Sequence, residues 1–130
     1  MTSPFDAVSE TLQIYFDALH FCDLSKLEAA FHPKAVYATA DATPPLIRDM
    51  KTYFAVVAER EPPAARKEQR RDAVDAIEFA GANTAFARVR CSIADRDFVD
   101  FLTLIRVEGR WRIIAKVFQI AEPVAEKEGA

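Results

Sequence analysis

Glycine is scarce in this chain, accounting for only three of its 130 residues. A glycine-rich phosphate loop needs several closely spaced glycines so that the backbone can approach the phosphates. Apolar runs are also short, below the roughly 18 residues that a membrane-spanning helix requires. The N-terminal segment lacks the basic and apolar regions of a secretory signal. We therefore expect neither a glycine-rich nucleotide site nor a membrane partner, and we expect a cytoplasmic protein.

Cysteine and histidine are equally sparse, with two of each. Cys22 and Cys91 are expected to be reduced, packed thiols, as is usual in a cytoplasmic domain, and a disulfide between them is the less favoured alternative. His20 and His32 have no cysteine cluster beside them and no spacing typical of a metal site. We therefore predict no metal ion and no cofactor.

A basic surplus is missing as well. Lysine and arginine total 17 against 20 aspartate and glutamate residues, which gives a net charge of −3. Because a nucleic-acid-binding surface needs clustered positive charge, we expect no nucleic-acid partner. The basic connector at residues 64–72 is diluted by Glu68 and Asp72 and is interpreted as a solvated linker. We expect one domain over residues 1–130, with a frayed tail at residues 122–130.

The N-terminal half of the chain predicts three helices. Ser3 can cap the first, with Pro4 at its first position. A second, short helix is capped by Asp23 and stopped by Pro33, and a third covers about residues 48–60. Apolar residues recur along the first helix with a 3.6-residue period. They are Phe5, Val8, Leu12, Tyr15, Phe16 and Leu19.

The C-terminal third predicts three consecutive strands at residues 84–93, 98–107 and 111–120. Glu108-Gly109 is a two-residue hairpin signal between the last two. Shorter strands are predicted at residues 35–39 and 73–79. This order indicates an α+β domain, in which three N-terminal helices pack on a strongly curved antiparallel sheet. Such a sheet forms a cone whose open end can hold a small molecule in a pocket.

The order of elements and four segments resemble the nuclear transport factor 2-like superfamily, which has a cystatin-like α+β cone fold. Within it, the chain is similar to the lumazine-binding-like and SnoaL-like branch. The segments are YFDALHFCD (15–23), AFHPKA (30–35), DFLTL (100–104) and GRWRIIAKVF (109–118). The resemblance implies a homodimer formed by packing of sheets. It leaves function open, because the superfamily includes isomerases, dehydratases, epoxide hydrolases, polyketide cyclases and non-catalytic binding subunits.

The ketosteroid isomerases of this superfamily use a tyrosine on the first helix, a base aspartate on the first strand and a protonated aspartate on a long strand. Tyr15 matches the tyrosine. The two acid positions fall on Thr39 and Thr103, so both aspartates are missing there. Asp41 lies two residues beyond Thr39, about 7 Å along a strand, which exceeds hydrogen-bond reach. Whether the protein is an enzyme stays open, and the weak catalytic candidates are Tyr15, His32 and Asp41.

The faces of the strands decide which residues line the cone. By alternation alone, the apolar face of residues 84–93 is core, and Arg88 and Arg90 lie in solvent. A gapless comparison with the isomerases reverses this face, and then three cations share a cavity with Tyr15 and predict an anionic ligand. A slip of one residue would flip the assignment. The predicted ligand-binding residues are Tyr15, Tyr37, Phe54, Arg88, Arg90, Thr103, Lys116 and Phe118.

If the arginines instead lie on the convex face, their predicted partners are Asp97, Asp100 or Glu78. Three functions are therefore compatible with the sequence. The first is a protein that binds a small anionic or aromatic molecule of unknown identity. The second is an isomerase, dehydratase or polyketide-cyclase type of enzyme that uses Tyr15. The third is a dimeric protein-interaction module that uses the sheet surface.

Overall fold

Three α-helices and six β-strands make up the part of the chain that the structure, a computed structural model, describes: residues 2–94 and 96–121. The tail predicted to fray, residues 122–130, lies outside the described residues. The helices are α1 (Pro4–Phe21), α2 (Leu24–Ala30) and α3 (Met50–Glu59), and a 3₁₀ turn covers Pro63–Arg66. The strands are β1 (Phe31–Thr39), β2 (Leu46–Asp49), β3 (Ala73–Ala80), β4 (Thr84–Ile93), β5 (Arg96–Val107) and β6 (Arg110–Ala121).

All six strands form one sheet in the order β2-β1-β6-β5-β4-β3. Every neighbouring pair is antiparallel except β1 and β6, which run parallel. The predicted α+β cone is therefore confirmed, except that one of its strand pairs, β1 with β6, is parallel. Strand β2 was not predicted, because four residues are too few to show an alternating pattern.

The predicted helix caps are present in the structure. Ser3 Oγ accepts a hydrogen bond from the backbone N–H of Asp6 at 3.1 Å, and Pro4 is the first residue of α1. The Asp23 carboxylate accepts from two backbone N–H groups at the start of α2. Each bond satisfies a donor that has no partner within the helix. None of the helices in the described ranges is long and apolar enough to cross a membrane.

The core lies between α1 and the concave face of the sheet. Residues of the predicted α1 stripe, among them Leu12, Tyr15 and Phe16, are buried there, whereas Phe5 at the start of the stripe is exposed. Alternate residues of β4 and β5 face this core, in keeping with the two-residue period of a strand. The core residues of these two strands are Ala85, Ala87, Val89, Cys91, Asp100, Leu102 and Leu104.

A β-bulge in β6 interrupts this alternation. Leu104 pairs with Ile113 and Thr103 pairs with Ala115, so Ile114 is an extra residue without a partner. An extra residue shifts the side-chain parity by one. Ile113 and Lys116 therefore both face the core, although they are three residues apart. The bulge places a lysine on the concave face.

The β5–β6 hairpin turn uses left-handed backbone at both of its central residues. Glu108 has φ 53° and Gly109 has φ 78°. A turn with two positive φ values matches the twist of the flanking strands, and glycine adopts this conformation without steric strain. The prediction of a tight hairpin at Glu108-Gly109 is confirmed.

Replacing Gly109 by alanine should lower the free energy of unfolding by about 1 kcal/mol. The cause is the backbone conformation alone, since a Cβ at this position would meet no atom within 4 Å. Gly109→Asn is the matched control and should lose less, because asparagine tolerates positive φ better than alanine. Urea denaturation followed by circular dichroism measures both. Equal stabilities of wild type and Gly109→Ala would contradict this account of the turn.

Candidate functional site

Lys116 is the most unusual residue of the interior. Its relative exposure is only 6 %, and it lies on the concave face of β6. Lysine is among the residues least often buried, because removing an ammonium group from water costs several kcal/mol unless it is compensated. What surrounds its amine therefore determines what the interior can do.

Four aromatic rings surround the Lys116 amine and are called here the aromatic cage: Tyr15, Tyr37, Tyr53 and Phe118. The distances from Lys116 Nζ to their ring centroids lie between 5.1 and 5.5 Å. Each such contact contributes about 0.5–2 kcal/mol, the upper values where the cation is desolvated. Nζ also donates to the Tyr53 hydroxyl at 3.4 Å. The cage stabilises a positive charge inside the protein.

A carboxylate lies beside the cage. Asp100 on β5 is fully buried and accepts a hydrogen bond from the Tyr15 hydroxyl, with 2.5 Å between Tyr15 Oη and Asp100 Oδ2. The Cys91 thiol donates weakly to the same oxygen, at 3.8 Å. The other oxygen, Asp100 Oδ1, is buried and has no hydrogen-bond partner among the described residues. A buried acceptor without a donor is unusual in a folded protein and points to a missing partner.

The charges of this cluster support one another. Burial opposes the charged form of Lys116, but nearby phenol groups and the Asp100 carboxylate outweigh that effect and raise the pKa of the lysine. Burial, and then the negative charge of Asp100, raise the pKa of Tyr15 well above its ordinary value. Lys116 is therefore a cation and Tyr15 a neutral hydrogen-bond donor near neutral pH. A protonated lysine is not a nucleophile, so imine chemistry at this amine is disfavoured.

A small cavity of about 20 Å³ reaches Lys116 from the open end of the cone. Such a volume holds about one water molecule, whereas ligand pockets commonly enclose about 300–1,000 Å³. The cone is therefore nearly closed in this conformation. The cavity is lined by Leu19, Tyr37, Arg60, Cys91, Ile93, Phe98, Lys116 and Phe118.

A second recess, of about 10 Å³, lies between α1 and the segment at residues 63–72. Leu19, Cys91 and Ile93 line both this recess and the cavity, so these three side chains form the wall between the two spaces. Rearrangement of that wall would join them.

Ion pairs hold the segment at residues 63–72 against the rest of the fold. Arg70 bonds Asp17 on α1 at 2.7 Å and Asp72 at 2.8 Å. Glu68 pairs with Arg66 and accepts from the backbone N–H of Ala94 at 2.9 Å. Arg66 and Arg70 in the predicted solvated linker thus carry acidic partners of their own. The segment is therefore fastened to α1 and to the residue that follows β4.

Three of the predicted ligand-binding residues lie on the convex face, opposite to the predicted face. Arg88 and Arg90 are exposed and contact Asp75, at 3.7 and 2.9 Å. Thr103 occupies the same face of β5. The gapless comparison with the isomerases gave the wrong face for β4 and β5 but the right one for Lys116 and Phe118 on β6, whereas simple alternation gave the right face for β4. The arginine partner is Asp75, not Asp97, Asp100 or Glu78 as predicted.

The other predicted residues are divided between the cage and more distant positions. Tyr15, Tyr37, Lys116 and Phe118 come together as predicted. Phe54 is partly buried beside Tyr53, with 6.2 Å between ring centroids, and does not line the cavity.

The two remaining catalytic candidates are occupied by backbone contacts. His32 Nδ1 accepts from the backbone N–H of Lys34 at 3.0 Å. Asp41 Oδ2 accepts from the backbone N–H of Ile120 at 2.9 Å. Thr39 Oγ1 accepts from the backbone N–H of Asp41 at 3.1 Å. The first bond lies at the start of β1, and the other two order its end and the loop that follows. Neither His32 nor Asp41 is bonded to Tyr15.

Sequence reasoning missed Asp100 and Tyr53 as parts of the site. Asp100 was detectable, because it shares its parity on β5 with Leu102 and Leu104 and so interrupts an apolar face. Tyr53 lies on α3 between the buried residues Met50 and Val57, where nothing in the sequence separates a cage residue from a core residue. Among the described residues, no group of three or more histidine, cysteine or acidic side chains is arranged to hold a metal ion.

The convex face of the sheet also has an open groove of about 390 Å³. Phe101 and Val117 form its apolar centre and are 46 % and 51 % exposed. The Arg88 guanidinium lies over the Phe101 ring, 5.6 Å from its centroid. The groove is lined by Ala40, Asp41, Arg88, Val99, Phe101, Val117, Phe118 and Gln119.

Comparison with known proteins identifies a family that this chain matches. Residues 3–119 match the family model described as "Putative lumazine-binding". No functionally curated protein matches the chain significantly.

Solved structures share the fold. A nuclear transport factor 2-like protein of unknown function from Silicibacter pomeroyi is 25% identical, with a TM-score of 0.78 over 90% of this chain and 95% of that one. A protein of the same description from Shewanella baltica is 23% identical, with a TM-score of 0.82 over 95% of this chain and 100% of that one. A ketosteroid isomerase-like protein from Erwinia carotovora atroseptica is 11% identical, with a TM-score of 0.70 over 90% of this chain and 95% of that one.

The closed cavity predicts a difference in reactivity between the two cysteines. Burial, and then the charge of Asp100, raise the pKa of Cys91, so its reactive thiolate is scarce at mildly alkaline pH. Cys22 is only partly buried at the end of α1. Iodoacetamide should therefore modify Cys91 at least about tenfold more slowly than Cys22 in the native protein.

Peptide mass spectrometry of timed samples measures the two rates. Protein unfolded in guanidinium is the control, where both thiols should react alike. Similar rates in the native protein would show that the cavity region opens freely and would contradict the closed conformation.

Proposed function

We propose that this chain, which belongs to the lumazine-binding-like family, binds a small organic molecule at the open end of its cone, with Lys116 at the inner end of the site. The single observation that carries the proposal is the buried charge cluster of Lys116 and Asp100, which includes an acceptor that has no partner within residues 2–94 and 96–121. Such a cluster is poorly explained by stability, because buried ion pairs are often no better than apolar residues of similar volume. A ligand that completes its hydrogen bonds gives it a role.

The surroundings of the cluster suit a planar, partly polar ligand. Tyr37 and Phe118 contribute aromatic surface to the cavity, and Lys116 contributes hydrogen-bond donors. Arg60 lies at the same opening and adds a second cation. Because the present cavity holds only about one water molecule, binding requires movement of the Leu19–Cys91–Ile93 wall or of the segment at residues 63–72. Closure over a ligand would then exclude water from the site.

An enzymatic use of the same site is the second candidate. The buried Tyr15 hydroxyl favours it, because a phenol that turned from Asp100 to a bound substrate would stabilise negative charge that develops on a carbonyl oxygen. It ranks second because Thr39 stands where the isomerases carry their base, and the nearby Asp41 is bonded to the backbone of Ile120. Proton transfer needs a base within hydrogen-bond reach of the substrate.

Replacement of Lys116 by methionine tests the binding site. Wild-type protein should bind benzoate or lumazine with a Kd below about 1 mM, measured by equilibrium dialysis. Lys116→Met should weaken binding at least about tenfold, because a charge-assisted hydrogen bond is lost. Its free energy of unfolding should fall, because the buried Asp100 carboxylate is left without a compensating cation, so circular dichroism first establishes that the variant is folded.

Lys51→Met is the matched control, because it makes the same substitution at an exposed site on α3. It should bind like wild type. Absence of binding of both compounds to the wild type, or full affinity in Lys116→Met, would refute the proposed site. Recovery of each compound unchanged from the dialysis chambers would favour binding over turnover.

We also propose that two copies pair through their convex faces. The support is the exposed apolar surface there, which includes Val36, Phe101 and Val117. These residues lie on adjacent strands in the middle of the sheet. Apolar surface of this kind on a folded domain commonly marks an interaction site. A pair of like faces forms a closed, two-fold symmetric dimer, which also meets the hypothesis of an interaction module.

A charge at the centre of this face should separate the copies. Wild-type protein should elute as a dimer in size-exclusion chromatography with light scattering, and Val117→Asp should elute as a monomer, because an unpaired carboxylate would be buried in the interface. Phe5→Asp is the control, since Phe5 is an exposed apolar residue on α1, away from the sheet. A monomeric wild type, or a dimeric Val117→Asp variant, would contradict the proposed interface.

A further inference from the structure

The two oxygens of Asp100 have different surroundings. Oδ2 accepts from both the Tyr15 hydroxyl and the Cys91 thiol, at 2.5 and 3.8 Å. Oδ1 is equally buried and accepts from no group among the described residues. Leaving a buried acceptor unpaired costs about 1–3 kcal/mol, and more when it is charged. This oxygen therefore provides a site for a hydrogen-bond donor from outside the chain.

Lys116 has hydrogen-bond donors to spare. An ammonium group carries three N–H donors, and the only hydrogen bond recorded for this one among the described residues is the 3.4 Å contact with Tyr53. The remaining protons face ring surfaces of the aromatic cage, which attract a cation but do not replace an oxygen acceptor. An oxygen acceptor that reached Lys116 Nζ would bind the ammonium group more strongly than the aromatic rings do.

The spare acceptor and the spare donor are neighbours on one surface. Asp100 pairs with Phe118, and Leu102 pairs with Lys116, so Asp100 and Lys116 are diagonal cross-strand neighbours on the concave face. Cys91, Lys116 and Phe118 line the cavity, and Asp100, although not part of the lining, contacts Cys91 Sγ at 3.8 Å and pairs with Phe118 across the strands. A single small group that enters past the Cys91 thiol can meet both residues.

On the basis of the proposed function, we infer that the ligand presents an N–H or O–H donor beside a carbonyl oxygen, as a cyclic amide or imide does. The donor bonds Asp100 Oδ1, and the oxygen accepts from Lys116. A simple carboxylate would satisfy only Lys116 and would bring a second negative charge close to Asp100. The site is therefore selective for uncharged donor–acceptor rings over plain organic anions.

Two related compounds test the donor directly. Lumazine has ring N–H groups beside carbonyl groups, and N,N-dimethyllumazine is the same ring with methyl groups in place of both N–H groups. Equilibrium dialysis against the full-length protein should show lumazine bound at least about tenfold more tightly, the effect of one hydrogen bond to a charged group. Benzoate should also bind more weakly than lumazine.

Asp100→Leu separates the hydrogen bond from the bulk of the methyl groups. In this variant the preference for lumazine should fall to nearly one, because the acceptor is gone. Asp100→Asn keeps the shape of the side chain and serves if the leucine variant fails to fold, as judged by circular dichroism. Its preference should fall severalfold, because a neutral amide is a weaker acceptor than a carboxylate.

The outcomes distinguish this inference from the proposed function. Equal affinities of the two lumazines for the wild type, or a preference that persists in both Asp100 variants, would overturn the inference. Lysine-dependent binding of benzoate alone would also overturn it, while the proposed binding site would stand. If no compound bound the wild type, both proposals would fail.

Discussion

The interior of this protein is arranged around a lysine ammonium group buried in the core, whose removal from water is unfavourable. Lys116 is kept charged by four aromatic rings and by the nearby Asp100 carboxylate. Asp100 is in turn held by the Tyr15 hydroxyl, which belongs to the longest helix. The helix, the sheet and the charge cluster therefore constrain one another, and a change in any one of them alters the environment of the others.

The bulge in β6 is the structural device that makes this arrangement possible. If Ile114 were paired in regular register and no bulge were present, strict alternation from Ile113 would direct Lys116 to the convex face, toward solvent. With the bulge, the strand presents apolar residues to the core near its start and a cation further along. Bulges often redirect a side chain next to a functional site. In this chain, β6 contributes the apolar residues Trp111 and Ile113 to the core before the bulge and the cation Lys116 after it.

The sequence was sufficient for the fold but only partly for the site. Periodicity, caps and the Glu108-Gly109 turn predicted the helices and long strands, because these signals are local. The face of Arg88 and Arg90 was wrong, because a gapless comparison over distant relatives does not preserve strand register. Asp100 was overlooked although its parity on β5 was readable. Its contact with Tyr15 joins residues far apart in the chain, and no local pattern reports such a contact.

The two faces of the sheet offer alternative locations for a ligand: the nearly closed cavity at Lys116 and the open groove at Phe101 and Val117. The most direct measurement is solution NMR of isotope-labelled protein titrated with lumazine. We expect shifts concentrated at Tyr37, Cys91 and Lys116, on the concave face. Shifts confined to Phe101 and Val117 would place the ligand on the other side of the sheet and would contradict the central claim.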